Sequence, residues 1–548
     1  MRFPKQCISF LVGCLFFWFS LGWLVNATAQ DRPKLMVGIV VDQMRYDHLF
    51  KYANRYTTGG FMRFLREGNA QHAAYYSYIP TYTAPGHATI YTGTTPSHHG
   101  IIANEWYSRS EQTMVYCVDD TLFQTVGGTS KKGRCSPNRL LCNTLGDGLK
   151  QFSQGQAKVF SLGLKDRSAI LPGGHLADGA FWFEGGKSGH WITSSYYTDV
   201  LPKWVESYNK KGYAKKLAEI DWNTLYPLTT YRQSGPDNNA FEMAFKGEDA
   251  PVFPHKLKIL APVNDYTSVL KYTPYGNSLT FDFAKELLEQ EHLGEDEMTD
   301  LLAISLSSTD YIGHRFGTHS VEIEDTYLRL DEEVNKFLQF LDEKYGRENY
   351  LVFLTSDHGA MDTPGLAEQT KNPAGFFNSD SLWVQLKDFC LKTFNTSQIL
   401  DNLSNNQLFL NADVIDSLDL ADDDIESIVE FIESAPGVDK VVLSGEVELF
   451  DGDDMYAKLK KGYHNKLSGD ILFTLLPNWV EYEKQGTTHG SGFEYDTHVP
   501  LLFMGWGIKA VSQYDKVSIE DITPTLCALL KITFPSAATG KPIPGVFR

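Results

Sequence analysis

Four short apolar runs stand out along this chain, and each is typical of a buried β-strand. They occupy residues 35–41, 301–306, 350–354 and 500–504 and lack alternating polar positions. A strand without such alternation is buried on both faces, as in a parallel sheet covered by helices on each side. A further strand is predicted over residues 74–79.

Between the second and third runs, apolar residues recur at a different period. Over residues 321–345 they are spaced by three and four positions, which predicts one long amphipathic helix. The order strand, helix, strand predicts an α/β fold with a mostly parallel sheet sandwiched by helices. In such folds ligands bind beyond the carboxyl ends of the strands.

Two segments depart from this alternation and are predicted as additions to a catalytic core. Residues 178–270 are rich in aromatic and turn-forming residues, and we expect them to form a cap near the site. Residues 395–480 are expected to form a small peripheral subdomain, in which the acidic run from Asp422 starts a helix. The core is then made of residues 30–177, 271–394 and 481–548.

The N-terminal segment, residues 1–29, is predicted to be a secretion signal. Arg2 and Lys5 precede an uncharged, mostly apolar run over residues 7–25, and the small residues at 27–29 match a signal-peptidase site. Two alternatives stay open, because the run is almost long enough to be an uncleaved membrane anchor and Cys14 lies in a lipidation-like sequence. We expect a secreted or periplasmic protein with no stable membrane span after signal removal.

The charge of the chain narrows its possible partners. Its 548 residues include 49 Lys and Arg against 68 Asp and Glu, which gives a formal net charge of −19. Binding to nucleic-acid phosphates needs clustered cations, so nucleic acid is not an expected partner. The apolar fraction of 42% is that of a folded globular protein.

Cysteines give little indication of a metal site. Cys117 and Cys135 flank a Gly- and Lys-rich turn and are spaced so that a disulfide between them is possible, whereas Cys142 lies in an apolar run and is expected to be a buried thiol. The mature chain has an odd number of cysteines, so at least one thiol is free.

Carboxylates and imidazoles follow the ends of the predicted strands, and this is the strongest functional signal in the sequence. They are Asp42 after the first strand, Asp310 and His314 after the second, Asp357 and His358 after the third, and His489 nearer the C-terminus. Each alone is typical of a helix cap or a structural histidine. Together, three carboxylates and three imidazoles suit zinc or a similar divalent ion, and six ligands can hold two ions.

A threonine near these residues is a candidate nucleophile. Thr83 is predicted to begin a helix, with Pro85 in the first turn and free backbone N–H groups able to hold an anion. A hydroxyl beside a divalent ion can attack phosphorus at moderate pH. Thr81 is a weaker candidate for the same role.

Three further side chains are candidates for binding a phosphoryl group. Lys165 and Arg167 lie two positions apart on a segment predicted to be extended, so both would point to the same side. An arginine can hold two phosphoryl oxygens at once. The amide of Asn104 can donate a hydrogen bond to a third.

The full set of motifs, with the segments 495–500 and 521–525, resembles the alkaline phosphatase superfamily over essentially the whole mature chain. It is most similar to the monomeric, phosphate-irrepressible alkaline phosphatases of the PafA type, which use a threonine nucleophile. The resemblance implies one zinc bound by Asp310, His314 and His489, and a second bound by Asp42, Asp357 and His358 beside the nucleophile Thr83.

The same resemblance implies the substrate and the reaction. Asn104, Lys165 and Arg167 match the phosphate-binding groups of the family, and the lysine stands where other alkaline phosphatases hold a third ion, so no third-site Mg²⁺ is expected. A monomer would hydrolyse small phosphate monoesters by two in-line displacements through a covalent phosphothreonine.

Three other functions are alternatives to a phosphate monoesterase. Sulfatases share the fold but need Cys or Ser where this chain has Thr83, so we exclude them. A phosphodiesterase or nucleotide pyrophosphatase of the same superfamily is the main alternative, although a diester carries one charge less than the Lys165 and Arg167 pair favours. A non-catalytic binding protein is disfavoured because the nucleophile and the ligands are all present.

Overall fold

The structure, a computed structural model, describes residues 32–452 and 454–548. The predicted secretion signal over residues 1–29, with its alternatives, lies outside the described residues. Among the helices of the described part, none has the length and hydropathy needed to cross a membrane.

Within the described residues, the strands fall into one large sheet and three smaller ones. In chain order they are β1 Leu35–Val41, β2 Asn69–Tyr75, β3 Glu105–Ser108, β4 Thr113–Tyr116, β5 Thr125–Val126, β6 Val159–Gly163, β7 Gly179–Gly185, β8 His190–Ser194, β9 Asp300–Leu306, β10 Tyr350–Thr355, β11 Gly375–Phe376, β12 Leu400–Ser404, β13 Gln407–Leu410, β14 Val438–Leu443, β15 Ile471–Leu475, β16 Trp479–Val480, β17 His498–Gly505, β18 Val511–Gln513 and β19 Val517–Ser518.

The large sheet has eleven strands in the order β18-β2-β17-β10-β1-β9-β6-β7-β8-β5, with β19 also paired to β2. Its centre, from β10 through β1, β9 and β6 to β7, is parallel throughout. All four apolar runs lie in strands of this sheet, and only the last, in β17, runs antiparallel to its neighbour β10. The predicted α/β fold with a mostly parallel sheet is therefore confirmed.

Helices cover the sheet. They are α1 His48–Lys51, α2 Phe61–Glu67, α3 Thr83–Thr92, α4 Pro96–His99, α5 Leu145–Phe152, α6 Asp166–Gly173, α7 Lys203–Lys210, α8 Tyr213–Leu217, α9 Leu257–Leu260, α10 Tyr275–Gln290, α11 Ser308–Phe316, α12 Val321–Tyr345, α13 Pro364–Gln369, α14 Ser379–Phe394, α15 Ala412–Ser417, α16 Asp422–Glu433, α17 Met455–Gly462, α18 Glu494–Thr497 and α19 Ile522–Leu530. The predicted bounds of the long amphipathic helix match α12.

Alternate residues of β1 enter different hydrophobic cores, which explains why the strand has no polar positions. Val37 and Ile39 pack with Phe337 of α12 in one core. Met36 and Val40 pack with Leu526 of α19 in the other. Because both faces of the sheet are buried, its polar side chains are confined to the strand ends, where the candidate ligands lie.

Two expectations about secondary structure are wrong in detail. The strand predicted over residues 74–79 ends at Tyr75. The chain leaves the sheet there, while Tyr76 and Tyr78 stay fully buried in a core. The apolar character of these two tyrosines therefore reflects burial in a core and not pairing within a strand. Residues 179–194, assigned above to a cap, instead form β7 and β8 of the large sheet.

A separate four-stranded sheet, in the order β12-β13-β15-β14, lies within the segment 395–480. Its own core includes Leu386, Leu408 and Ile432. The acidic run starts helix α16 at Asp422, as predicted. The division of the remaining chain into core, cap and peripheral subdomain stays a prediction.

Cys117 and Cys135 are free, as are the other cysteines of the described residues, and all are buried. The turn that they flank is closed by hydrogen bonds instead. The Thr125 hydroxyl donates to the Ser130 carbonyl, and Trp182 Nε1 donates to the Lys132 carbonyl. These contacts hold the turn without a covalent link.

Candidate active site

The predicted ligands meet at the carboxyl edge of the parallel strands. Asp42 follows β1, Asp310 and His314 lie on α11 after β9, and Asp357 and His358 follow β10, while His489 arrives on the loop before α18. The rings of His358 and His489 stack with centroids 3.4 Å apart, and His314 Nε2 lies 3.1 Å from Asp310 Oδ1. Residues separated by more than 400 positions thus form one buried cluster.

The cluster contains two compact sets of three ligand atoms. Asp42, Asp357 and His358 form one set, which is the trio expected for one of the two ions. The other set combines Asp310 and His489 with His358, whereas the expected trio had His314 in that place. His314 still points Nε2 at Asp310, so it lies beside this second set.

Backbone carbonyls fix the orientation of all three imidazoles. His314 Nδ1 lies 2.7 Å from the Thr487 carbonyl, His358 Nδ1 2.9 Å from that of Gly359, and His489 Nδ1 2.7 Å from that of Thr81. Since a carbonyl can only accept, each Nδ1 carries the proton and each Nε2 presents its lone pair to the cluster. This is the arrangement that a metal-binding histidine requires.

The carboxylates of the cluster also fit cations. Asp42 Oδ1 is buried with no hydrogen-bond partner, while Asp42 Oδ2 faces the Lys165 ammonium and Asp357 Oδ2 faces the His87 ring. Burial, followed by the charges of Asp310 and Asp357, raises the pKa of Asp42 well above its usual range. Buried carboxylates this close together need positive charge, so the residues present fit divalent metal ions.

Lys165 contributes one positive charge to this cluster. Its ammonium lies 2.8 Å from Asp42 Oδ2 and 2.5 Å from Asp310 Oδ2, and it donates to Thr83 Oγ1 at 3.2 Å. Although burial opposes the charged form, Asp310 and Asp42 hold the pKa of Lys165 above its usual value. The lysine is therefore cationic beside the candidate nucleophile.

Thr83 is the first residue of helix α3, as the sequence predicts, and is almost fully buried. Its hydroxyl lies 3.4 Å from Nε2 of His358, the histidine common to both compact sets. Asn104 Oδ1 accepts a hydrogen bond from the Ala84 N–H, which leaves the Asn104 amide nitrogen free to donate to a phosphoryl oxygen. The Thr81 hydroxyl instead donates to the Ser491 carbonyl, so it does not take the position of the Thr83 hydroxyl beside His358.

Gly86 sets how closely α3 approaches the end of β10. A Cβ added at this position would lie 2.3 Å from the Asp357 carbonyl oxygen. The glycine in the Thr83–His87 motif is therefore needed for contact between the helix that carries the nucleophile and the segment that carries a ligand.

We expect Gly86→Ala to lower kcat for a phosphate monoester by about 100-fold, because a shift of about 1 Å at a reacting group has that effect. Steady-state kinetics and metal content measure it. Gly445→Ala is the control, since a Cβ there meets nothing within 4 Å. Equal activity of the two variants would show that the close approach of α3 is not needed.

The segment expected to be extended at Lys165 and Arg167 is a helix start instead. Lys165 precedes α6, and Arg167 lies in its first turn after Asp166, an acidic residue favoured at that end. Arg167 donates to the Tyr116 hydroxyl, which in turn donates to Asp166. This chain of contacts orients the guanidinium, whose charge acts on the Lys165 ammonium, so the two cations are neighbours although the segment is helical and not extended.

Three further residues, which the sequence pattern did not indicate, hold the cluster in place. Gln43 Nε2 donates to Asp310 Oδ1 at 2.9 Å, and His87 Nδ1 lies 3.3 Å from Asp357 Oδ2. Asp496 Oδ2 accepts from the backbone N–H groups of Gly490 and Ser491, next to His489. The sequence offered two signals for these residues. Gln43 directly follows Asp42, and His87 and Asp496 lie within the segments 83–87 and 495–500.

Comparison with known proteins gives a consistent result. The chain matches the family described as type I phosphodiesterase / nucleotide pyrophosphatase over residues 36–499. It is 42% identical to a protein of Myroides odoratus named calcium-transporting ATPase, over 99% of each chain. It is 40% identical to alkaline phosphatase PafA of Elizabethkingia meningoseptica, over 94% of this chain and 95% of that one.

Solved structures agree with these relatives. The crystal structure of wild-type alkaline phosphatase PafA superposes with a TM-score of 0.91 at 40% identity, over 94% of this chain and 99% of that one. A second PafA structure is of a variant with one threonine, one asparagine, one lysine and one arginine replaced. The chain therefore belongs to the alkaline phosphatase superfamily, in the branch of the PafA-type alkaline phosphatases.

Proposed function

We propose that this protein is an exported two-zinc alkaline phosphatase that hydrolyses phosphate monoesters through a covalent phosphothreonine. The observation that carries the proposal is the position of the Thr83 hydroxyl, which lies 3.4 Å from Nε2 of His358, the histidine common to both compact sets, and 3.2 Å from the Lys165 ammonium. The replaced residues in the second PafA structure are of the same four types as Thr83, Asn104, Lys165 and Arg167.

Imidazole and carboxylate ligands favour zinc over calcium or magnesium. Asp42, Asp357 and His358 would hold one ion, and Asp310, His314 and His489 the other. When bound, the two ions would lower the pKa of the attacking hydroxyl and stabilise the charge on the departing oxygen. The Lys165 ammonium supplies the charge that a third ion would bring, so no Mg²⁺ is proposed.

The residues of the chain account for binding and attack. Arg167, Asn104 and Lys165 hold the phosphoryl oxygens, and the backbone N–H groups at the start of α3 face the same charge. The Thr83 hydroxyl gives up its proton to solvent and its Oγ1 attacks phosphorus; the bond from Oγ1 to phosphorus forms, the ester bond opposite breaks, and the departing oxygen takes a proton from solvent and leaves as the alcohol. Water then attacks the phosphothreonine with loss of a proton to solvent; its oxygen bonds to phosphorus, the bond from phosphorus to Oγ1 breaks, phosphate is released and Oγ1 regains a proton.

We expect p-nitrophenyl phosphate to be hydrolysed with a kcat/KM at least 100-fold above that of bis-p-nitrophenyl phosphate. A monoester dianion can use both cations of the clamp, whereas a diester has one charge less and a second organic group. ATP belongs in the same substrate series because one relative bears the name of an ATPase.

Arg167→Ala serves as the internal control of that comparison. Removing one cation should reduce monoester turnover more than diester turnover, so the ratio of the two kcat/KM values should fall. A wild-type protein that prefers the diester would instead support the phosphodiesterase named in the description of the matching family.

Export is the remaining part of the proposal, and the N-terminal sequence supports it. Arg2 and Lys5, the apolar run and the small residues at 27–29 are the parts of a cleavable signal. N-terminal sequencing of the protein recovered outside the cytoplasm distinguishes cleavage after Ala29 from a retained anchor.

A further inference from the structure

A cleft of about 890 Å³ lies between the catalytic cluster and the four-stranded sheet of the segment 395–480. One side of it is lined by His489, a candidate metal ligand, and by Tyr82, which directly precedes the nucleophile Thr83. The rings of Tyr82 and His489 meet edge to face, with centroids 5.7 Å apart. The cleft therefore begins directly beside the catalytic residues.

The four-stranded sheet supplies the opposite side of the cleft. Leu472 of β15 packs against Ile79, which lies close before the nucleophile in the chain. Because side chains two positions apart on a strand point to the same face, Thr474 also faces the catalytic loops. Trp479 and Phe493 add aromatic surface to the lining. The sheet and the catalytic loops thus enclose one cleft with apolar and aromatic walls.

Two buried polar atoms of the lining have no hydrogen-bond partner. Thr474 is 5% exposed, and its hydroxyl is unpaired. Asp496 is 1% exposed, and its Oδ2 accepts from the N–H groups of Gly490 and Ser491, whereas its Oδ1 has no partner. Burial raises the pKa of Asp496 to about 7. Buried oxygens without a donor are unfavourable, so the two atoms indicate a ligand that donates hydrogen bonds.

The charge of the lining restricts the ligand further. It includes the acids Glu481 and Asp496, and none of the described residues that line the cleft is Lys or Arg. An anionic group would therefore be repelled from the cleft, while the cations Lys165 and Arg167 stand in the phosphoryl clamp. Small-molecule sites have volumes of about 300–1,000 Å³ and combine apolar walls with a few polar groups, as this cleft does.

We propose that this cleft binds the organic group of the phosphate ester and selects an uncharged aromatic alcohol that carries an N–H or O–H donor. The phosphoryl group stays in the clamp, the aromatic ring packs in the cleft beside Tyr82, and the donor meets the unpaired oxygens of Thr474 and Asp496. The inference rests on the proposed monoesterase function and names the class of ester that the same site prefers.

Three esters test the cleft in the zinc-loaded protein. Ethyl phosphate, 2-phenylethyl phosphate and 2-(3-aminophenyl)ethyl phosphate release alcohols of similar acidity, so differences in kcat/KM report binding of the organic group. We expect kcat/KM to rise about 10-fold or more from the first ester to the second, and about 3-fold or more from the second to the third. Equal values would overturn this inference alone, whereas no turnover of any ester would overturn the proposed function with it.

Thr474→Val removes the unpaired hydroxyl at nearly constant volume. It should abolish most of the gain from the amino group and leave kcat/KM for ethyl phosphate unchanged, because Thr474 lies on β15, outside the clamp and the metal ligands. Thr326→Val is the matched control, since Thr326 is also buried with an unpaired hydroxyl but lies on α12. A gain that persists in Thr474→Val, or that is lost equally in Thr326→Val, would overturn the proposal.

Leu475→Trp provides a second test that does not depend on the hydroxyl. Leu475 ends β15, is half-buried and lines the cleft, so a larger side chain there fills part of it. The ratio of kcat/KM for 2-phenylethyl phosphate over ethyl phosphate should fall at least 3-fold, with ethyl phosphate itself unaffected. If Thr474→Val does not fold, this ratio decides, and an unchanged ratio would contradict the assignment of the cleft.

Discussion

Replacing Thr83 by alanine lowers kcat for a phosphate monoester by about 10⁴-fold or more, the size of effect seen when a nucleophile is removed from a covalent hydrolase. The hydroxyl is almost fully buried, and no other hydroxyl is placed between Lys165 and His358 in the part of the chain that the structure describes. The clamp and the metal ligands remain, so zinc content and substrate binding should change little. Steady-state kinetics with metal analysis on the same preparation measures both.

Two further substitutions test whether the effect belongs to the Thr83 hydroxyl. Thr83→Ser keeps an oxygen at the first position of α3 and should retain a large part of the activity. Thr81→Ala removes the alternative hydroxyl, which bonds the Ser491 carbonyl, and should cost less than about 10-fold. Stronger inactivation by Thr81→Ala than by Thr83→Ala would move the nucleophile to position 81.

The sequence predicted the catalytic edge of the sheet because burial on both faces leaves a clear mark. Strands β1, β9 and β10 are almost wholly apolar, so the polar residues that follow each apolar run stand at the strand end. Asp42 directly follows its run, and Asp310 and Asp357 lie within four residues of theirs, so the sequence predicts all three at one edge of the sheet. The bounds of α12 were equally clear, since its apolar stripe keeps the helical period over 25 residues.

What the sequence did not predict depends on partners distant in the chain. The run over residues 74–79 is as apolar as a strand, but Tyr76 and Tyr78 are buried by packing after the last strand pairing. Asp166, by starting α6, overrode the extended geometry expected for Lys165 and Arg167.

The burial of two acids, Glu242 and Glu322, gave no local signal at all. They lie in unrelated patterns, a polar loop and a helix start, and only the fold buries both. A motif search cannot detect such a pair, because its chemistry arises from burial and not from spacing.

Removing the metal ions with a chelator should lower monoesterase activity more than 10³-fold, and added Zn²⁺ should restore it. The ions are needed because the buried carboxylates of Asp42, Asp310 and Asp357 would otherwise repel a phosphate dianion beside Thr83. Metal analysis of the reactivated protein should give about two zinc ions per chain, as two sets of three ligands require.

Calcium and magnesium supply the matched controls for that reactivation. Neither should restore turnover alone, because the imidazoles of His314, His358 and His489 suit zinc, whereas calcium and magnesium prefer oxygen ligands. His314→Ala should then bind about one zinc per chain and lose most activity, since one ligand set is left incomplete. If the metal-free protein hydrolysed monoesters at the original rate, the metal ions would not be needed for the reaction. The proposed activation of the Thr83 hydroxyl by bound metal ions would then be wrong.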